Sequence, residues 1–203
     1  MKTNNEMVQY LINVGVLHSQ SVIEAFREVD RADFVADPYA SNIYEDYPLN
    51  IGDGQTISQP RTVAMMMEML SVEKAQKILD IGSGSGWTTA LLAYMTGESG
   101  YVIGVERVEE LVEFGRNNLK KYGFNNVNII QAKETLGVKG ETFERILVSA
   151  AADEFPQELS KQLNIGGKIV IPVQNSVYEM TKKENGELEG VEHYGFVFVP
   201  LLY

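Results

Sequence analysis

Hydrophobic positions keep a helical rhythm in the first part of the chain and then alternate between strand-like runs and helical stretches. Val22, Ile23, Ala25, Phe26 and Val29 recur at helical spacing, which predicts a helix from Gln20 to Val29 with Ser19 or Ser21 at its start. Asp37 to Asp53 is rich in Tyr, Asn, Asp, Gly and Pro and reads as loop with short extended pieces. Arg61 to Leu70 is apolar enough for a helix leading into a sheet. Ile78, Leu79 and Ile81 form the body of a buried strand, and Trp87 to Met95 reads as the helix after it. Beyond it the spacing predicts strands over Tyr101 to Val105, Val127 to Gln131, Arg145 to Ser149 and Lys168 to Val173. Helices over Glu109 to Tyr122 and Pro156 to Leu163 fall between them. Such alternation predicts an α/β fold with a mostly parallel central sheet and helices on both faces. The end differs: Val177 to Lys182 and Val191 to Val199 flank a polar turn containing Asn185-Gly186, the pattern of an antiparallel C-terminal hairpin on the sheet edge.

With 203 residues, 44% of them hydrophobic, the chain suits one domain over 1–203, in which a helical and loop segment (1–60) precedes an α/β core (61–203). It has no cysteine, which removes disulfides, thiolate nucleophiles and cysteine zinc sites together, and two isolated histidines make no metal site. The formal net charge of −11 opposes attraction to phosphate backbones and anionic lipid, so neither nucleic acid nor membrane is expected as a partner. No apolar run approaches a membrane span and the N-terminus lacks a signal-peptide layout, so a cytoplasmic protein is expected, and a monomer.

The most informative stretch is Ile78-Leu79-Asp80-Ile81-Gly82-Ser83-Gly84-Ser85-Gly86, a strand ending in a glycine turn where backbone can pass close to a ligand. Glu106 lies twenty residues beyond Gly86 at the end of the next apolar strand, where a carboxylate grips a ribose diol, with Arg107 beside it. The spacing is G-x-G-x-G, unlike the G-x-G-x-x-G that receives a dinucleotide pyrophosphate, and an acid, Asp80, stands just before the turn. That combination resembles motif I of class I S-adenosylmethionine methyltransferases. The resemblance implies a Rossmann-like fold, S-adenosyl-L-methionine as cofactor, and Asp80, Gly82, Ser83, Gly84, Gly86, Glu106 and Arg107 as cofactor-binding residues.

Other segments carry a narrower likeness: Arg31-Ala32-Asp33-Phe34-Val35, Gly54-Gln55-Thr56-Ile57-Ser58-Gln59-Pro60, Ala150 to Pro156, Ile165 to Val173 and Phe198-Val199-Pro200-Leu201. Over most of its length the chain resembles the protein-L-isoaspartate O-methyltransferase family, whose members methylate the free carboxylate of isoaspartyl residues in damaged proteins. The resemblance implies isoaspartyl-containing peptides and proteins as substrates, a substrate-side loop within 1–60, Ser58 at the active site, and Thr56, Ile57 and Gln59 presenting groups to cofactor or substrate. Ser58 has a second reading: Ser-Gln-Pro before an apolar run also suits a helix cap. Trp87 reads as core packing.

After the strand Val127 to Gln131 the family usually places Gly-Asp-Gly, with the aspartate next to the adenine, whereas this chain has Ala132-Lys133-Glu134. Lysine has donors and no acceptor, so it cannot receive a hydrogen bond from the adenine amine, and Glu134 is the alternative acceptor. The chain also ends at Tyr203, soon after Pro200-Leu201, where relatives often continue. Two other functions stay open on these departures: methylation of a different carboxylate acceptor, and a non-catalytic relative serving as an interaction module.

Overall fold

The computed structural model describes residues 1–37 and 41–202, so Pro38 to Ala40 of the expected loop lie outside the described residues, as does Tyr203. Seven strands form the central sheet: β3 (Lys77–Ile81), β4 (Tyr101–Glu106), β5 (Val127–Gln131), β6 (Phe143–Val148), β7 (Leu163–Val173), β8 (Ser176–Lys182) and β9 (Leu188–Tyr194), following a short hairpin of β1 (Leu49–Gly52) and β2 (Gln55–Ile57). The order across the sheet is β5-β4-β3-β6-β7-β8-β9. The five strands from β5 to β7 are parallel neighbours, and β8 then pairs antiparallel with both β7 and β9. The expected sheet and its edge hairpin are both present.

Helices α1 (Asn4–Asn13), α2 (Gln20–Glu28), α3 (Pro60–Leu70), α4 (Trp87–Thr96), α5 (Glu109–Lys120) and α6 (Gln157–Gln162) cover the sheet unequally. Successive strand side chains point to opposite faces, and they divide into two cores. Ile78, Val102, Leu147 and Val170 join Met7, Phe26, Met67, Leu91 and Leu111 from α1 to α5. Leu79, Val105, Ile146 and Ile169 join Leu159 of α6. The imbalance follows from connection order. From β3 through β5 the chain steps one way along the sheet, and from β6 to β7 it steps the other way, so right-handed crossovers place α4 and α5 on one face and α6 on the opposite one.

The hydrophobic rhythm misplaces the bounds of two strands, β9, which begins at Leu188, and β7. The last strand, expected over Val191 to Val199, is β9 and stops at Tyr194, because Gly195 has φ of +95° and turns the chain out of the ladder. The chain from Phe196 then leaves the sheet, and Val199 O accepts from Ala151 N at 2.8 Å while Leu201 N donates to Ala151 O at 2.7 Å, which lays the closing segment beside the end of β6. The strand expected from Lys168 begins at Leu163, with a register irregularity against β6 between Phe143 and Arg145.

A candidate cofactor and substrate cleft

The cleft lies at the carboxyl ends of β3, β4 and β6, where an open parallel sheet reverses its stepping direction and leaves a crevice. β3 ends because Gly82, Gly84 and Gly86 take positive φ (+76°, +50° and +88°), a conformation side chains resist. Gly82 and Ser83 amides both donate to Val105 O, at 2.9 and 3.2 Å, tying the turn to β4. A Cβ on Gly84 would stand 3.2 Å from Ile51 Cδ1, so hairpin β1–β2 comes down directly on the turn. Gly86 acts elsewhere. A Cβ there would meet Gly115 O and Ile129 Cδ1, both at 3.2 Å, so this glycine permits α5 to pack and does not face the cleft.

Glu106 is buried and held by backbone amides: Gly84 N donates to Oε2 at 2.8 Å, and Arg107 N and Val108 N donate to Oε1 at 2.7 and 2.9 Å. The carboxylate therefore links the glycine turn to the start of α5. Of roughly four acceptor sites on a carboxylate, these amides take three, and Glu106 still lines the cleft.

Asp80 stands behind the turn and does not line the cleft. It is fully buried, its Oδ2 accepts from Thr88 Oγ1 at 2.8 Å and Thr89 Oγ1 at 2.6 Å, and its Oδ1 has no hydrogen-bond partner among the described residues. Desolvation pushes its carboxyl up to about 6, against the two hydroxyl hydrogen bonds, and the charge of Glu106 adds to the rise. Ser83 Oγ is likewise buried without a partner among those residues. Ser83 lines the cleft, so its unpartnered hydroxyl beside the glycine cradle fits the amino-acid end of a zwitterionic sulfonium cofactor, whereas Asp80 is screened from that end by the turn.

Ser58, Thr56 and Ile57 line the opposite wall, with Gln55 and Ile51 from the same hairpin. Gln59 does not reach the cleft. It is the N-cap residue of α3 by position, its side chain makes no capping hydrogen bond among the described residues, and its carbonyl accepts from Val63 N at 3.1 Å. The cap comes from the preceding loop, where Asp46 Oδ1 accepts from Arg61 N at 2.9 Å. Ser58 is thus not the cap of α3, and its role as a helix-starting residue falls away. Trp87 is core as expected, edge-on to Phe26, and also meets the cleft with its margin.

Arg107 lines the cleft beside Glu106, and Lys133 and Thr135 come from the loop after β5. Glu134, the alternative acceptor, is exposed and does not line the cleft. Sequence reasoning missed Thr88, Ser149 and the closing strap Val199 to Leu202 as wall residues. The strap was visible only as a family-like segment, and nothing in its apolar pattern says that it leaves the sheet.

The family model for protein-L-isoaspartate(D-aspartate) O-methyltransferase matches residues 2–203. This chain belongs to that family. A protein-L-isoaspartate O-methyltransferase from Methanopyrus kandleri is 40% identical over 207 residues, covering 99% of this chain and 92% of that one. Its namesake from Pyrococcus abyssi is 38% identical over 201 residues, covering 96% and 92%. A Plasmodium falciparum structure described as a protein-L-isoaspartate O-methyltransferase in complex with S-adenosyl-L-homocysteine superposes with a TM-score of 0.87 at 28% identity, covering 100% of this chain and 99% of that one. Family membership makes the chain a Rossmann-like class I methyltransferase that uses S-adenosyl-L-methionine.

Proposed function

We propose that this chain transfers the methyl group of S-adenosyl-L-methionine to the free carboxylate of L-isoaspartyl residues in damaged proteins, with Ser58 holding the acceptor. The observation that carries the reading is the convergence of two separate segments on one cleft: the Ser58-bearing end of hairpin β1–β2 and the Gly82–Gly84 turn with Glu106. The cofactor, when bound, supplies an electrophilic methyl on sulfur. Glu106 takes the sugar, and Gly82, Ser83 and Gly84 cradle the amino-acid end, with Asp80 acting from behind the turn through its charge and through Thr88, which it holds at the cleft wall. Arg107 flanks the sugar, and Thr56 and Ile57 present backbone and hydroxyl groups from the hairpin.

The acceptor needs little activation. A carboxylate is already ionised at neutral pH, because its ordinary pKa is about 4, so no general base is called for. What remains is to place one oxygen in line with the breaking bond and strip it of water, and positioning of this kind can lower a barrier by roughly 7 to 11 kcal/mol at best. The Ser58 hydroxyl suits this role because it donates a hydrogen bond to the acid without neutralising it, where an ammonium would blunt the nucleophile.

The reading takes the protein as a monomer of one domain over 1–203 acting in the cytoplasm on exposed, flexible peptide segments. Among the described residues no helix is long and apolar enough to cross a membrane, and a charge of −11 disfavours nucleic acid. Methyl-ester formation on an isoaspartyl peptide and its aspartyl twin tests the proposal. Ester on the isoaspartyl form alone supports it, and equal ester on both sinks it.

A further inference from the structure

Arg31 is fully buried, and its guanidinium carbon lies 4.8 Å from the centre of the Trp87 ring. Its donors go to three backbone carbonyls: Nε to Ile43 O at 2.9 Å, Nη1 to Ser58 O at 2.7 Å and Nη2 to Tyr47 O at 3.3 Å. Burial lowers its pKa to about 9, with Asp46 opposing, so it stays charged at neutral pH. A buried charge is costly even when it is hydrogen-bonded, and neutral amides serve the same packing elsewhere, as where Asn4 Nδ2 donates to Phe26 O at 2.7 Å.

What the charge and its planar fork achieve is visible in the chain order. Tyr47 and Ser58 flank hairpin β1–β2, one on each stem, and both stems bond to the same rigid fork. Between them the hairpin carries Ile51 onto Gly84, and Thr56 and Ile57 onto the cleft wall. The hairpin tip, Gly52-Asp53-Gly54, is exposed, and a Cβ on Gly52 or Gly54 would meet nothing within 4 Å.

We propose that Arg31 is a positioning residue for methyl transfer: seated on Trp87, it clamps both stems of hairpin β1–β2 and thereby fixes Ser58 relative to the glycine turn. This rests on the reading of Ser58 given above. The lever is geometric, since misplacing a reacting group by about 1 Å can cost roughly a hundredfold in rate.

Arg31→Lys and Arg31→Gln test it, with Trp87→Phe as the variant that leaves the fork in place and shrinks its seat. Three quantities are read: S-adenosylhomocysteine affinity by calorimetry, kcat and KM for an isoaspartyl peptide, and amide hydrogen exchange. The expected result for both Arg31 variants is a loss of no more than a few-fold in cofactor-product affinity, because Thr56 and Ile57 ride on the same hairpin, a larger fall of about tenfold to a hundredfold in kcat/KM for peptide, and faster exchange at Gln55 to Ser58 with β3 and β4 unaltered. Trp87→Phe should show the same exchange pattern in smaller measure. The proposal is overturned if hairpin exchange and kcat/KM stay at wild-type values in Arg31→Lys. It is equally overturned if both Arg31 variants lose protection across the whole sheet together with cofactor-product binding, or fail to fold while Trp87→Phe exchanges as wild type. Exchange and calorimetry need no turnover, so a wild-type protein inert toward isoaspartyl peptide would refute the function reading and leave the clamp to be judged on the exchange data.

Discussion

Glu106 Oε2 accepts the amide of Gly84 at 2.8 Å, so the carboxylate proposed to grip a sugar is also the brace of the glycine turn. Removing it loosens the cradle and the sugar contact together. A hydrogen bond to a charged group contributes about 1.5 to 3 kcal/mol, and Glu106→Ala should weaken S-adenosylhomocysteine binding by roughly 10- to 100-fold. Glu106→Gln should recover only part of this, because its amide nitrogen brings a donor to a place already filled by backbone donors. Calorimetric titration of the three proteins checks both statements.

Ser58, proposed to hold the acceptor, and Asp46, which caps α3, let methyl transfer be tested apart from capping. Asp46 caps Arg61 N at the start of α3, and Ser58 contributes its carbonyl to Arg31, which an alanine retains. Ser58→Ala should therefore melt like the wild type and bind S-adenosylhomocysteine normally, while kcat/KM for isoaspartyl peptide falls about 10- to 100-fold for a lost hydrogen bond to the acid. Asp46→Ala should do the reverse in kind, lowering stability by about 1 kcal/mol as a lost helix cap does. Thermal melts and initial rates on both variants decide it.

Why some of this was legible in sequence and some was not has a physical pattern. The glycine turn declares itself because positive φ restricts residue type, and Glu106 because β4 ends in a carboxylate at a fixed spacing. Helix α1 went unread although Thr3-Asn4-Asn5-Glu6 spells a capping box. Thr3 accepts Glu6 N at 3.2 Å as such a box requires, while Glu6 reaches one residue past the cap, to Lys2 N at 2.6 Å. Met7, Val8 and Leu11 are buried at helical spacing beside that box, so the helix is legible from both signals together. Gly86 and Gln59 look like site residues because they sit inside motifs, yet a motif does not say which members face the ligand and which face a neighbouring helix. Arg31 was legible only as part of a family-like segment, because three carbonyls from separate parts of the chain meet on it only after folding. The same holds for the strap Val199 to Leu202.

Asp80 makes a prediction about pH. Its folded pKa of about 6 lies above the ordinary 3.8, so the folded state holds the proton more tightly than the unfolded chain does. The fold consequently loses stability from this group as pH rises from about 4 to about 6, and carries the whole penalty above that, at most about 3 kcal/mol for a shift of about two units. Asp80→Asn keeps an acceptor for Thr88 and Thr89 without the charge. It should melt no lower than wild type at pH 7, flatten the dependence between about pH 4 and 6, and bind S-adenosylhomocysteine more weakly. Melting curves across that range, with calorimetry at neutral pH, measure the exchange of stability for binding.

Lys133 lines the cleft from the loop after β5, where the family resemblance implies an aspartate beside the adenine. An ammonium has three donors and no acceptor, so it leaves the purine amine unanswered from this position, and exposed Glu134 does not line the cleft to replace it. Lys133→Asp restores an acceptor and should tighten S-adenosylhomocysteine binding by a few-fold to tenfold, corresponding to about 1 kcal/mol for one hydrogen bond. Lys133→Met removes the ammonium and adds no acceptor. If it tightens binding as much as Lys133→Asp, the cation's repulsive presence is the cause, and if it leaves binding unchanged, the missing acceptor is. The pair of titrations tells the two apart because the aspartate variant alone supplies both changes.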